Sequence, residues 1–196
     1  MSAAFFAKDV LCLASLTSAY LGLQRALPPD QLNAATKSVL SGATGGAVLA
    51  AISQQLNHRH FPETTAELGK NLPGSGPRIV FKSATGYGGF FAVFDGLRKG
   101  VWKARGNLAE RTGVPLPARR VLDPTWQATN VLAGGVGGLC YRAATLPFFS
   151  GPLDNPLTTK GGLLLLSRTV VGMGVLGFVL ANTEALLQEW RGEDKE

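Results

Sequence analysis

The chain has 196 residues, of which 45% are hydrophobic and only 16% charged, with 25 glycines and a formal net charge of +6. Soluble domains carry about 25% charged residues, so this composition disfavours a freely soluble enzyme and makes a membrane protein the leading class. The basic balance fits loops that face anionic headgroups, and no aromatic-studded basic motif supports a nucleic-acid partner.

Met1 to Ala7 is uncharged, with neither the basic start of a secretory signal nor the Arg-rich character of a transit peptide. If the protein is organellar, its address is therefore expected inside the mature chain. Residues 3–27 are apolar apart from Lys8 and Asp9 and stop at Pro28-Pro29. The uncharged stretch from Val10 to Gln24 is short of the roughly 20 residues a crossing needs, which predicts a helix lying against a membrane or a partner, with a full crossing as the alternative. A linker follows to Lys37.

Ser38 to Leu56 carries Gly42, Gly46 and Ala50 at a spacing of four, a small-residue seam along which helices can approach. Asn57 to Pro77 reads as a polar loop. It holds His58 and His60, which no Cys or further His joins, so a solvated loop is expected rather than a metal site.

Arg78 to Arg98 is apolar and glycine-rich. Each interior glycine costs a helix about 1 kcal/mol in water, whereas in a bilayer the backbone must satisfy its own hydrogen bonds and helix is nearly the only choice. Thr85, Gly89, Ala92 and Gly96 fall on one face, predicted to be a packing seam. Lys99 to Asp123 reads as a basic connection with Trp102 as an interfacial anchor. Trp126 to Phe148 contains Ala133-Gly-Gly-Val-Gly-Gly138, and a short loop with Pro147, Pro152 and Pro156 leads to Gly161–Leu187, where Gly174, Gly177 and Ala181 share a face. A polar tail, Gln188–Glu196, closes the chain.

The expected fold is all-α: an integral membrane protein with four glycine-rich crossings at 38–56, 78–98, 125–147 and 162–187, both termini on one side, and an N-terminal membrane-associated helix. By domain this is residues 1–37, 38–187 and 188–196. Cys12 and Cys140 lack any CxxC spacing and read equally as buried thiols or as a bridge.

Charges inside apolar segments are expensive and mark functional positions. Arg142 continues the Gly134, Gly138 seam at a spacing of four, and Arg168 precedes Gly172 by the same spacing, so both are expected to face packed neighbours. Asp95 lies roughly 20 Å from Arg142 in depth, too far to pair, and is expected to balance Arg98 and Lys99. Arg142 and Arg168 would share a layer with Arg78, Lys82 and Lys160, where the only nearby acids are Glu63, Glu67 and Asp154. Arg78, Lys82, Arg142 and Arg168 are thus candidate contacts for an anionic phospholipid such as cardiolipin or for acidic residues of a larger complex. The alternative is that these arginines cap helix ends or snorkel to headgroups. The candidate helix-packing positions are Gly42, Gly46, Gly89, Gly96, Gly134, Gly138 and Gly172. There is no Walker loop, no HExxH and no nucleophile elbow, and Gly86-Tyr-Gly-Gly89 lacks the strand a dinucleotide loop needs. A non-enzyme without cofactor or metal is expected.

Gly42-Ala-Thr-Gly-Gly46, the block Gly86-Tyr-Gly-Gly-Phe-Phe-Ala-Val-Phe-Asp-Gly-Leu-Arg98, and Asp123-Pro followed by Asn130 and the 133–138 glycines ahead of Arg142 resemble the mitochondrial inner-membrane protein-translocase (Tim-type) family of four-helix proteins. The resemblance spans roughly residues 38–187. That family includes an accessory subunit of respiratory complex I, and the Asp-Pro before a glycine-rich crossing resembles this branch. The resemblance implies a non-catalytic, multi-pass inner-membrane subunit that stabilises and helps assemble the complex I membrane arm and its lipid contacts. The alternative it implies is a component of an inner-membrane protein import channel. It also implies a second loop in the intermembrane space, whereas the basic charge of that loop would place it in the matrix.

Overall fold

The computed structural model describes residues 3–28, 32–60, 75–114, 120–148 and 160–191, and among them the chain is all-helical, as expected. Five α-helices occur among these residues: α1 (Ala3–Ala26), α2 (Ala34–His60), α3 (Ser75–Thr112), α4 (Pro124–Thr145) and α5 (Lys160–Arg191). Short 3-10 turns follow at Arg120–Leu122 and Leu146–Phe148.

Three boundaries differ from the sequence expectation. Helix α2 continues through both histidines, which were expected in a loop; residues 61–74 of that loop, with Glu63 and Glu67, lie outside the described residues, as does Asp154. Helix α3 runs 14 residues past Arg98, through the basic stretch expected to be a connection. Lys, Arg, Ala, Leu and Glu are strong helix formers and outweigh Gly100 and Gly106 there. It ends where Gly113 takes φ +68° and donates its N–H to the Ala109 carbonyl at 2.9 Å, a left-handed cap that suits glycine. Helix α5 takes in Gln188–Arg191 from the expected tail, and residues 192–196 lie outside the described set.

Among the described residues, one helix is long and apolar enough to cross a membrane by length and composition: Gly162–Arg191 in α5, with mean hydropathy 2.1. Only 22% of its apolar window is buried within the chain, the reverse of a soluble core helix. The other three segments expected to cross are diluted, α2 and α4 by Ser, Thr, Gly and Asn, and α3 by its charges.

The chain divides into two compact units, residues 1–89 with 143–150, and residues 90–142 with 151–196. In the first, α1 packs along α2. Cys12, Leu16 and Tyr20, one helical turn apart, form the buried face of α1, and Leu16 is fully buried over Gly45, where a Cβ would come within 3.0 Å of the Leu16 carbonyl. Gly46 admits the start of α3 so closely that a Cβ would sit 2.6 Å from the Ser83 carbonyl. Polar links join the ends of these elements: Lys8 donates to Asn57 at 3.2 Å, and Gln54 donates to the Gly76 carbonyl at 3.1 Å.

In the second unit, Phe90, Phe91 and Phe94 of α3 are almost wholly inaccessible and pack ring on ring, with centroids 4.9 to 6.3 Å apart. Helices α4 and α5 meet glycine to glycine. A Cβ on Gly177 would lie 2.8 Å from the Asn130 carbonyl and 2.9 Å from the Gly134 Cα, and one on Gly138 would lie 2.9 Å from the Met173 Cβ. Gly137 lies under the Phe90 ring in the same way. Such backbone contact maximises dispersion between the two helices.

The seam expected on α3 is on the wrong side. The buried face is Tyr87, Phe90, Phe91, Phe94 and Arg98, whereas Thr85, Gly89 and Ala92 are half-buried. Gly96 is exposed, with nothing within 4 Å of a Cβ. Gly172 is likewise exposed and open, because the packed face of α5 follows Met173, Gly174, Gly177 and Ala181 instead. Gly42 is buried in α2.

Candidate functional site: a buried charge network beneath an aromatic-walled cleft

The second unit holds charged side chains inside and aliphatic ones outside. Arg98, one turn beyond Asp95 on α3, pairs with Asp95 at 3.2 Å and with Glu184 of α5 at 2.5 Å, while both Asp95 and Arg98 are buried. Lys99 approaches the other Asp95 oxygen at 3.8 Å with its own side chain half exposed. The Arg98 guanidinium lies 5.1 Å from the Phe94 ring centroid and 5.8 Å from that of Trp126. An arginine disperses its charge over a plane and stacks on aromatic faces, so it tolerates such a site better than lysine would.

A second pair closes the same region. Asp123 precedes Pro124 at the start of α4, accepts a hydrogen bond from the Thr125 amide at 2.9 Å, and pairs with Arg105 of α3. Proline is suited to the first helical position, and an aspartate before it satisfies an otherwise orphaned amide. Burial pushes the Asp123 carboxyl up, but the Arg105 guanidinium and the Thr125 and Trp126 amides outweigh it and hold the carboxyl below its ordinary value of 3.8. Arg105 also lies 5.3 Å over the Trp102 ring, and Trp102 meets Trp126 edge to face at 5.1 Å. Trp102, expected as an interfacial anchor, is part of a cation-aromatic ladder. Below it, Gln127 and Asn182 exchange two amide hydrogen bonds of 2.9 Å between α4 and α5.

A cleft of about 280 Å³ opens over this network, walled by Trp102 and Trp126, with Lys99 and Lys103 on one side and Glu184 and Gln188 on the other. Among the described residues, no three His, Cys, Asp or Glu side chains gather to hold a metal.

The four cations expected to contact lipid or a partner fall into both units. In the first, Arg78 donates to the Phe148 carbonyl at 3.1 Å beside a Phe81–Phe148 ring contact at 5.7 Å, and Lys82 is half-buried. In the second, Arg142 Nε donates to the Thr169 hydroxyl at 2.9 Å, so Arg142 does face α5. Arg168 is exposed, contrary to the expectation that it faces packed neighbours, because it lies off the 173, 174, 177 face. Asp95 pairs with Arg98 and Lys99, as the one-turn spacing implied. Glu184 was missed, since 86 residues separate it from Arg98. The signal was present: it is the single acid between Gly161 and Leu187. Asn130 was noted only as part of a motif. It is fully buried, and neither amide atom has a hydrogen-bond partner. Cys12 and Cys140 are both free thiols.

No protein-family model matches this chain, and neither does any curated protein or any solved structure.

Proposed function

We propose that the chain is a non-catalytic, multi-pass membrane subunit that packs into a larger assembly. The observation that carries this reading is polarity turned inside out: Asp95, Arg98, Asp123 and Asn130 are buried, while Leu132, Leu163, Leu164, Val171 and Val175 stand 53 to 69% exposed. In water, a charge in the interior and leucine on the surface are each unfavourable; in lipid both are the low-energy choice. Four crossings, by α2, the first half of α3, α4 and α5, follow from this reading, with α1 lying against α2. The glycine contacts of α4 on α5 support it, since close backbone approach is how membrane helices associate.

The setting we favour, on the resemblance carried by residues 38–187, is the mitochondrial inner membrane, as an accessory subunit of the complex I membrane arm. The test is mild-detergent native electrophoresis of membranes, with mass spectrometry of the band that contains this chain. Comigration with a megadalton NADH dehydrogenase assembly is the expected outcome. A smaller band shared with other four-helix proteins would move the reading to an import channel, and recovery in the soluble fraction would end it.

A further inference from the structure

The outer side of α5 carries one exposed apolar row. Val171, Val175, Val179, Leu186 and Trp190 fall within about 100° of helical arc at 3.6 residues per turn, and each is between 50 and 85% exposed. Trp190 closes the row and is the most accessible of the five. Charge begins where the row ends, since Glu189 and Arg191 flank the indole.

The height of this end follows from contacts within the same unit. Helix α5 runs parallel to α3: the Phe94 ring lies beside Gly177, and one turn further along α3 Arg98 pairs with Glu184. Glu184 is therefore level with Arg98 and Lys99, where α3 changes from apolar to basic. Trp190 stands six residues past Glu184, about 9 Å along the axis, and helical side chains lean back over the preceding turn, here that of Leu186. A headgroup layer is roughly 5 to 8 Å deep on either side of the hydrocarbon core. The span Gly162–Arg191 has 30 residues and extends about 45 Å, enough to cover that core and both headgroup layers.

We propose that the Trp190 indole lies in the headgroup layer of a bilayer, its ring over the outermost acyl carbons and its N–H toward the ester and phosphate oxygens. An indole is apolar over its body and polar at one edge, which suits the depth at which hydrocarbon gives way to water. Deeper in the membrane, Glu189 and Arg191 would lose their hydration. Further out, the ring would part from the row that runs down α5 to Val171. The inference rests on the membrane reading above.

The experiment uses the full chain reconstituted in phosphatidylcholine vesicles whose acyl chains carry bromine either near the headgroup or near the chain end. Bromine quenches an indole on contact. Subtracting the emission of Trp190→Phe, at an exposed position where folding is not at stake, isolates Trp190 from Trp102 and Trp126. The isolated emission should lose most of its intensity to bromine near the headgroup and little to bromine near the chain end, and aqueous acrylamide should quench it only in part. Stronger quenching from the chain ends would overturn the proposal by placing the ring deep in the hydrocarbon. Full quenching by acrylamide with none by either bromine would overturn it by placing the ring in water, and quenching by neither agent would do so by placing a protein surface over it. A chain that does not enter vesicles fails the membrane reading itself. A vesicle-embedded chain with any of the three contrary patterns fails only this inference.

Discussion

Arg98 is held between two carboxylates of unequal exposure, with Asp95 buried beside it and the Glu184 side chain 26% exposed across the interface with α5. Removing the buried partner should therefore cost more, because the guanidinium keeps its charge in a site that water cannot reach to compensate. Asp95→Ala is expected to lower the stability of the detergent-solubilised chain by about 3 kcal/mol, the low end for a broken buried pair, since Glu184 remains. Glu184→Gln should cost less. Denaturant unfolding followed by Trp126 fluorescence measures both, because this ring lies against Arg98. Replacing all three charges, Asp95→Ala and Glu184→Gln with Arg98→Met, should recover most of the loss, as the site then needs no counter-charge. Equal stability of Asp95→Ala and the parent would mean that the buried Asp95–Arg98 pair within α3 contributes nothing to stability.

At the scale of elements, the Asp123-Pro124 junction joins two helices through one carboxylate, which caps α4 and pairs with Arg105 of α3. Its folded pKa is depressed, so the stability it contributes is present above the ordinary carboxylate value of 3.8 and is lost as pH falls below that through the folded value. Thermal unfolding between pH 6 and pH 2.5 should show this loss in the parent, and Asp123→Asn should flatten the acid limb. An unchanged acid limb in that variant would assign the titration to other groups. The start of α4 was legible to within a residue, since the apolar run placed a crossing at 125–147 and the helix begins at Pro124; the pairing of Asp123 with Arg105 was not. The α4–α5 seam was legible too, since Gly134, Gly138, Gly174 and Gly177 lie on facing helices and small residues there have one use. The face of α3 was not. Its small residues, 85, 89, 92 and 96, and its aromatic residues, 87, 90, 91 and 94, share the same helical period on opposite sides. Periodicity gives the stripe but not its direction, and the three phenylalanines bury far more area than the glycines could. The C-terminal half of α3 was hidden for another reason. A basic, polar stretch reads as a loop when hydropathy is the guide, whereas Lys, Arg, Glu and Ala are good helix formers in water.

On the scale of the whole molecule, the proposed membrane reading has to reconcile those two characters of α3 with one bilayer. Its 38 residues extend about 57 Å, against a hydrocarbon thickness of about 30 Å. On that reading the stretch from Ile79 to Leu97, which matches that thickness, would cross, and Lys99, Lys103, Arg105, Glu110 and Arg111 would carry the remainder into water. Leu108, Leu132 and Val175 are equally accessible within the chain, at 59, 69 and 58%, so protein burial alone cannot separate them. A bilayer would. Single cysteines at these positions, with Cys12 and Cys140 replaced by serine, would be reconstituted in vesicles and opened by freeze–thaw with a membrane-impermeant maleimide. Leu108→Cys should label rapidly, whereas Leu132→Cys and Val175→Cys should resist until detergent dissolves the membrane. Rapid labelling of all three in intact bilayers would place the leucine and valine faces of α4 and α5 in water. The inside-out polarity would then need a protein partner, rather than lipid, to cover it.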